Sequence, residues 1–388
     1  MNSQVAGNKM VNVYINKVSS FLPNEAVDNE NIENVLGQIG VRPSRAKRVV
    51  LKSNKIKTRF YAIDPKTGET THTNAELTAN AVRGLGAQNI KDLDLLVCGT
   101  TMPDQLMPNH ALMVHGELGL APLEVVSTAG ICLSGATSLK YAYTSIKAEE
   151  ATLAVATGSE NASASMRAKH FKEEMALRVD DLEKNPEIAF EKDFLRWMLS
   201  DGAGAFLLSN KPNENELSLK IERIFSRSYA SVLDTCMYAG CDKQEDGTIK
   251  GWREYESKEL LEKSVFSVKQ DVKLLNENII EYTVTKPLQE MLAKDMFKPE
   301  EIDWFLPHYS SGYFRDKVYD GMKKAECDIS QERWFTNLPY KGNTGSASIY
   351  LMVEELFNNG KFKKGEKILC YVPESGRFST AFILLEVV

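Results

Sequence analysis

The chain has 388 residues, of which 43% are hydrophobic and 26% are charged, and its net charge is −6 with a pI near 5.6. This composition is typical of a globular protein and excludes disorder over most of the length. The acidic balance argues against nucleic acid as a partner, and no stretch approaches the roughly 18 to 20 apolar residues of a membrane span.

The amino-terminal segment, residues 1–18, has no apolar core of a signal peptide and alternates into a predicted first strand. The six cysteines lack the spacing of a metal site, and buried free thiols are the simplest interpretation for five of them: Cys98, Cys236, Cys241, Cys327 and Cys370. Free thiols persist in a reducing compartment, so a cytoplasmic location is expected. The sequence indicates no metal and no cofactor, since phosphate-binding and dinucleotide-binding glycine motifs are missing.

Residues 42–59 contain eight basic side chains and no acidic one. Such a patch suits an acidic carrier protein or the phosphate of phosphopantetheine, and a solvated basic face is the alternative. The eight residues are Arg42, Arg45, Lys47, Arg48, Lys52, Lys55, Lys57 and Arg59.

Short continuous apolar runs at 95–98, 153–156 and 205–208 predict strands that are buried on both faces. Helical patterns lie between and after these runs, so the sequence predicts the α/β class. The predicted helices cover 109–118, 133–149, 285–295 and 345–359.

A weak internal repeat divides the chain. Residues 90–104 resemble 298–312, each with an aspartate, an apolar strand and a polar turn, and 201–209 resemble 378–386. The repeat predicts a duplication with halves at 1–210 and 215–388. Residues 161–198 interrupt the first half as a charged, mostly helical insertion, which either caps a pocket, meets a partner or is simply solvated.

Cys132 lies between a predicted strand and a predicted helix, with small residues around it. Small neighbours let a substrate reach the sulfur, and the start of a helix favours a thiolate. His308 follows the apolar strand 303–306, and Asn343 lies in a glycine-rich turn before a helix. Taken singly, each of the three also suits a structural role, as does Glu160 at the end of another apolar strand.

The motifs GICLSGA, LPHYSS and GNTGSAS, which contain Cys132, His308 and Asn343, occur in an order that resembles the β-ketoacyl-acyl-carrier-protein synthase III group of the thiolase superfamily. SDGAGAFLLS and PNHALMVHGELGL are similar to further segments of these enzymes, so the resemblance covers nearly the whole chain. It implies a five-layered αβαβα fold made of two duplicated halves, and a homodimer.

The resemblance also implies roles for single residues. Cys132 would carry an acyl group, while His308 and Asn343 would stabilise the enolate of a second thioester. Gly376 and Arg377 would belong to the oxyanion loop, where this chain departs from the glycine-rich run of its relatives. Met107 would line the acyl pocket in place of phenylalanine, and Glu160 is a possible accessory acid or base.

The amino-terminal segments are similar to ketosynthases of dialkylresorcinol pathways. This narrower resemblance implies that a (β-keto)acyl thioester, on an acyl carrier protein or coenzyme A, is joined to the acyl-Cys132 intermediate. The expected product is a 2,5-dialkylcyclohexane-1,3-dione. Alternatives are a decarboxylative 3-oxoacyl synthase III that initiates fatty-acid synthesis, a cysteine hydrolase, and a non-catalytic partner subunit of a condensing complex.

Overall fold

The computed structural model describes residues 11–39, 47–177 and 195–388. Nine of the described strands form one mixed sheet. In chain order they are β1 (Tyr14–Phe21), β2 (Leu95–Thr100), β3 (Glu124–Ala129), β4 (Leu153–Glu160), β5 (Gly202–Ser209), β6 (Leu219–Ser228), β7 (Trp304–Pro307), β8 (Lys367–Glu374) and β9 (Ser379–Val387).

The order across the sheet is β7-β8-β9-β6-β1-β5-β4-β2-β3. β1 and β6, the first strands of the two halves, pair antiparallel at the centre through Tyr14–Lys220 and Ile15–Leu219. In each half the first strand pairs antiparallel with the last strand, β1 with β5 and β6 with β9. The last strand pairs antiparallel with the strand before it in the chain, which in turn pairs parallel with the second strand of its half. A parallel bridge from Phe305 to Trp334 takes the place that β3 has beside β2.

The repeated aspartates also have equivalent contacts. The Asp94 carboxylate accepts hydrogen bonds from the backbone N–H groups of Thr152 and Leu153 at the start of β4. The Asp303 carboxylate accepts one from the backbone N–H of Lys367 at the start of β8, 2.9 Å away. These contacts and the repeated strand order support the duplication. The boundaries of its two halves, 1–210 and 215–388, stay a prediction.

Three of the four predicted helices begin and end within two residues of their predicted limits. The helix predicted at 345–359 begins three residues later, at Ser348, because Gly345–Ala347 forms a 3-10 turn. The longer helices are α1 (Lys47–Asn54), α2 (Asn74–Arg83), α3 (His110–Leu118), α4 (Ser134–Lys147), α5 (Val272–Ile280), α6 (Lys286–Ala293), α7 (Arg315–Lys324) and α8 (Ser348–Asn358). A π-helical turn, Glu281–Thr285, joins α5 to α6. Shorter helices are Ile32–Leu36, Ala87–Ile90, Ser163–Met166, Lys172–Leu177, Ser257–Glu262 and Leu338–Lys341.

The helices and the twisted sheet form the five layers expected. α2 and α3 cover the outer face of the first half, and α5, α6 and α7 cover that of the second. Helices α4 and α8, one from each half, share the central apolar core with strands of both halves. No helix of the described residues is long and apolar enough to span a bilayer.

Glycines let the central layer pack backbone against backbone. A β-carbon on Gly135 or on Gly158 would lie 2.2 Å from the carbonyl oxygen of Ser346, so no side chain fits at either position. The Tyr350 hydroxyl donates a hydrogen bond to the Gly135 carbonyl at 2.8 Å. The two halves are therefore in direct contact beside the turns that carry Cys132 and Asn343.

Two inserted segments extend the fold. The predicted insertion at 161–198 contains the helices Ser163–Met166 and Lys172–Leu177, and its residues 178–194 lie outside the described part of the chain. A second segment between β6 and α5 forms two short antiparallel ladders: Met237–Tyr238 with Lys269–Gln270, and Cys241–Lys243 with Ile249–Gly251.

Candidate active site

Cys132 lies in the turn between β3 and α4. The Thr128 hydroxyl donates to the Ser134 carbonyl at 2.8 Å, and the Ser134 hydroxyl donates to the Ile131 carbonyl at 2.7 Å. These two short-range hydrogen bonds fix the turn around the cysteine. Cys132 stays partly exposed, in contrast to the buried cysteines Cys98, Cys236, Cys327 and Cys370.

A cleft that is partly open to solvent is lined by both Cys132 and His308. The apolar part of its lining comes from the second half of the chain. It consists of Leu275, Ile279, Ile280, Phe314 and Val318. Tyr309, Ser310, Tyr371, Pro373 and Ser375 complete the lining. A reactive sulfur at one side of an apolar cleft is suited to an acyl chain.

His308 continues the parallel pairing of β7 with β8, because its backbone N–H donates to the Tyr371 carbonyl at 2.8 Å. The residue is only 4% exposed, and burial lowers the pKa of its imidazole to about 4. The ring is therefore neutral at physiological pH. A neutral imidazole donates from one ring nitrogen and accepts at the other.

Asn343 is held by its backbone and by one side-chain atom. Its N–H donates to the Met198 carbonyl, and its own carbonyl accepts from the Ser200 N–H, both at 2.9 Å. The side-chain oxygen accepts the Gly345 N–H at 3.0 Å. Because this bond fixes the oxygen, the amide nitrogen is the end left to donate to a substrate. Asn343 is buried and is not part of the cleft wall defined above.

Glycines make the Asn343 turn possible. Gly342 and Gly345 have positive φ angles of 73° and 50°. A β-carbon on Gly345 would lie 2.7 Å from the Glu160 side chain, so the turn and Glu160 are packed directly together.

Glu160, the last residue of β4, is a buried carboxyl group. Its Oε1 accepts hydrogen bonds from the Thr101 hydroxyl and from the Ser346 N–H. Burial raises the pKa of Glu160 to about 7, although these hydrogen bonds oppose the shift. Glu160 therefore joins the Asn343 turn to the end of the strand pair β2–β4 and can change its protonation near neutral pH.

The surroundings of Cys132 disfavour a resting thiolate. Burial of the sulfur raises the pKa of the Cys132 thiol above its ordinary range, and the charges of Glu160 and Glu374 raise it further. The sequence predicted the opposite influence from the start of a helix. The structure adds burial of the sulfur, which is the larger cause, and two acidic groups that the local sequence around Cys132 does not contain, and all three raise the pKa of the thiol.

The loop after β8 contacts the nucleophile turn. A β-carbon on Gly376 would lie 2.9 Å from Ile131, and the Gly376 carbonyl accepts the Cys236 N–H at 2.8 Å. Arg377 is exposed, and its Nε donates to the Leu233 carbonyl at 2.9 Å. Ser375, rather than Gly376 or Arg377, lines the cleft. The oxyanion role of Gly376 and Arg377 stays a prediction.

Met107 lies on the surface, with 82% of its area exposed, and does not line the cleft of its own chain. Its predicted place in an acyl pocket therefore requires a second copy of the chain.

The predicted basic patch at 42–59 is wrong at one residue. Arg59 is fully buried, and its guanidinium donates to Asn29 and to the Trp197 carbonyl. Arg48, Lys52, Lys55 and Lys57 are exposed, while Arg42 and Arg45 lie outside the described residues.

Sequence reasoning missed the contacts of Glu374 and the residues of the apolar wall. Glu374 stands in the loop that departs from the glycine-rich pattern, and that departure was the only available signal. No cluster of three or more His, Cys, Asp or Glu side chains within 11–39, 47–177 and 195–388 is arranged to hold a metal ion.

Comparisons with known proteins find that this chain is similar to condensing enzymes. The family model described as 3-oxoacyl-[acyl-carrier-protein] synthase III C terminal matches residues 292–384, which include His308 and Asn343. A curated relative, the β-ketoacyl-[acyl-carrier-protein] synthase III of Clostridium perfringens, is 25% identical over 349 residues, which are 90% of this chain and 91% of the relative.

Solved structures share the fold along nearly the whole length. The tetronic acid condensing enzyme AbyA1 is 20% identical with a TM-score of 0.74, and the match covers 96% of this chain and 99% of AbyA1. OleA of Xanthomonas campestris, solved with lauric acid and lauroyl-CoA bound, is 18% identical with a TM-score of 0.70, and the match covers 97% of this chain and 99% of OleA.

Proposed function

Since the chain is a condensing enzyme of the thiolase superfamily, similar to β-ketoacyl-acyl-carrier-protein synthase III, we propose that it joins two acyl chains through an acyl-Cys132 intermediate. The observation that carries the proposal is the cleft that is lined by Cys132, by His308 and by five apolar side chains. Its substrates are acyl thioesters on an acyl carrier protein or on coenzyme A.

In the first half-reaction the Cys132 sulfur attacks the carbonyl carbon of an acyl thioester. A new carbon–sulfur bond forms at Cys132, the donor's carbon–sulfur bond breaks, and the proton of Cys132 leaves with the released carrier thiol. The backbone N–H groups at Cys132 and at the loop 375–377 are the proposed donors to the tetrahedral oxyanion.

In the second half-reaction a second thioester supplies a carbon nucleophile as its enolate. The enolate oxygen needs hydrogen-bond donors as negative charge develops on it. The neutral His308 ring and the Asn343 amide nitrogen have this capacity, because neither is committed to a hydrogen bond with another described residue. Glu160 is the proposed accessory group that moves a proton, since its pKa of about 7 lets it accept and return one.

The proposed product is a 2,5-dialkylcyclohexane-1,3-dione. The α-carbon of a β-ketoacyl thioester adds to the β-carbon of an α,β-unsaturated acyl group on Cys132. The γ-carbon of the ketoacyl chain then attacks the acyl-Cys132 carbonyl, which closes a six-membered ring and releases the cysteine. Hydrolysis of the remaining thioester and loss of carbon dioxide complete the product. AbyA1 and OleA, which share the fold, support condensation beyond simple chain initiation.

Mass spectrometry of products tests the ring. Purified enzyme with a β-ketoacyl thioester and an α,β-unsaturated acyl thioester is expected to yield the cyclic dione, and the Cys132→Ala variant is the control for uncatalysed addition. If malonyl carrier protein is the only productive nucleophile and only linear β-ketoacyl chains form, the enzyme is an initiation synthase. That second function is favoured by the names of the curated relatives.

A homodimer is proposed on the exposed edge of the sheet. β3 pairs with β2 on one side only, and the described residues provide no strand for its other side. Leu106 and Met107, which lie between β2 and α3 in the same half, have 73% and 82% of their areas exposed. An open edge with exposed apolar groups is suited to pairing with a second copy.

We also propose a cytoplasmic location, because the six cysteines are free thiols.

Light scattering at micromolar concentration measures the assembly. The wild type is expected to have twice the mass of one chain, and Val126→Pro in the middle of β3 is expected to shift it toward the monomer, because proline removes a backbone donor. Lys220→Ala, a surface change on the central strand β6, is the control. A fully active wild-type monomer would contradict the proposal.

A further inference from the structure

Glu374 ends β8 and reaches the turn that carries the nucleophile. Its Oε2 accepts the Ile131 N–H at 2.8 Å and the Leu133 N–H at 3.2 Å, so it bonds the residues on both sides of Cys132. A β-carbon on Gly130 would lie 3.2 Å from the same oxygen, which is tight, so glycine leaves the carboxylate room. A side chain from the second half is thus built into the nucleophile turn of the first.

The Leu133 contact occupies an N–H at the start of α4, and the Ile131 contact occupies an N–H in the turn just before it. Free N–H groups at a helix start favour a thiolate. A carboxylate that accepts the Leu133 N–H reduces this capacity and adds a like charge near the sulfur. Burial raises the pKa of Glu374, while the two N–H donors favour its ionised form.

We propose that Glu374 is a positioning residue that fixes the nucleophile turn and keeps Cys132 protonated until an acyl thioester binds. The proposal deepens the proposed function, because it concerns the same cysteine. The repulsion between the carboxylate and a thiolate disappears once the sulfur becomes a neutral thioester. Glu374 therefore favours the acylated enzyme over the free thiolate and protects the resting sulfur from alkylation and oxidation.

Alkylation of Cys132 by iodoacetamide as a function of pH tests this without any acyl substrate. The reagent is uncharged, so its approach does not depend on the charge of Glu374. Both enzyme forms contain Cys241→Ser, which removes the other partly exposed cysteine, and Cys132→Ser supplies the background. Glu374→Gln keeps an oxygen for the two N–H groups and removes the charge, so alkylation near pH 7.5 is expected to rise roughly tenfold.

Two further variants separate charge from turn geometry. Glu374→Asp keeps the charge and is expected to leave the pH profile near that of wild type. Glu366→Gln makes the same charge change just before the other end of β8, where Glu366 accepts the Trp304 indole N–H, and is expected to change nothing.

The proposal is overturned if Glu374→Gln follows the wild-type profile, or if Glu374→Asp or Glu366→Gln accelerates alkylation as much. It is also overturned, whatever the variants do, if wild-type Cys132 titrates below the value of about 8.5 for a free cysteine. If the wild type fails to condense two acyl thioesters while the alkylation profiles of wild type and variants are as expected, the proposed function is wrong and the role of Glu374 stands.

Discussion

Replacement of Cys132 by alanine is expected to abolish covalent acylation. Incubation of the wild type with an acyl thioester should add the mass of one acyl group, measured on the intact protein, because Cys132 is the one cysteine among the residues that line the cleft. Cys132→Ala has no nucleophile there and should gain no mass. The side chain that is lost is small, so the fold should survive.

Cys241→Ala is the matched control, since Cys241 is also a partly exposed free thiol but lies in the segment between β6 and α5. It should acylate like the wild type. Acyl mass that persists in Cys132→Ala, or disappears in Cys241→Ala, would contradict the assignment of the nucleophile.

Changes at His308 and Asn343 are expected to separate the two half-reactions. His308→Ala and Asn343→Asp should still acquire the acyl group on Cys132, while condensation falls by roughly a hundredfold or more, as when an oxyanion donor is lost. Asn343→Asp keeps the oxygen that accepts the Gly345 N–H but lacks the amide donor. The measurement is single-turnover acylation beside the steady-state rate of product formation.

His110→Ala is a control for the loss of a buried imidazole. His110 is buried like His308, and burial also lowers the pKa of its imidazole to about 4. Its ring nitrogen makes hydrogen bonds with the hydroxyl groups of Thr78 and Ser159, and it does not line the cleft. Its condensation rate per folded molecule should stay near that of the wild type. Equal loss of both half-reactions in His308→Ala would instead mean that the histidine activates the thiol, as in a cysteine hydrolase.

The elements that create the site were largely predictable. The apolar runs of β2, β4 and β5 and the helix that follows Cys132 depend on local patterns, and the structure confirms them. The strand that precedes His308 and the glycines around Asn343 are local signals too. These patterns place Cys132, His308 and Asn343 each beside the end of an element, and the structure brings Cys132 and His308 into one cleft.

Contacts between residues that are distant in sequence could not be predicted from such patterns. The bond from Glu374 to the turn of Cys132 depends on how β8 and β3 lie relative to each other, and no local pattern records that. Leu275 and Ile279 of α5 line the cleft, yet their spacing is the same as that of helical residues packed in a core. Burial of Arg59 likewise follows from the Trp197 carbonyl, which is distant in sequence.

The glycine contacts between the central helices have a consequence for synthesis on the ribosome. Cys132 and Asn343 are more than 200 residues apart, and the surface at Gly135 and Gly158 is covered by the backbone at Ser346. When the first half emerges, this bare surface has no partner until the residues around Ser346 have been translated. The nucleophile turn also lacks its contact with Glu374 until then, so the catalytic centre forms only when the second half docks on the first.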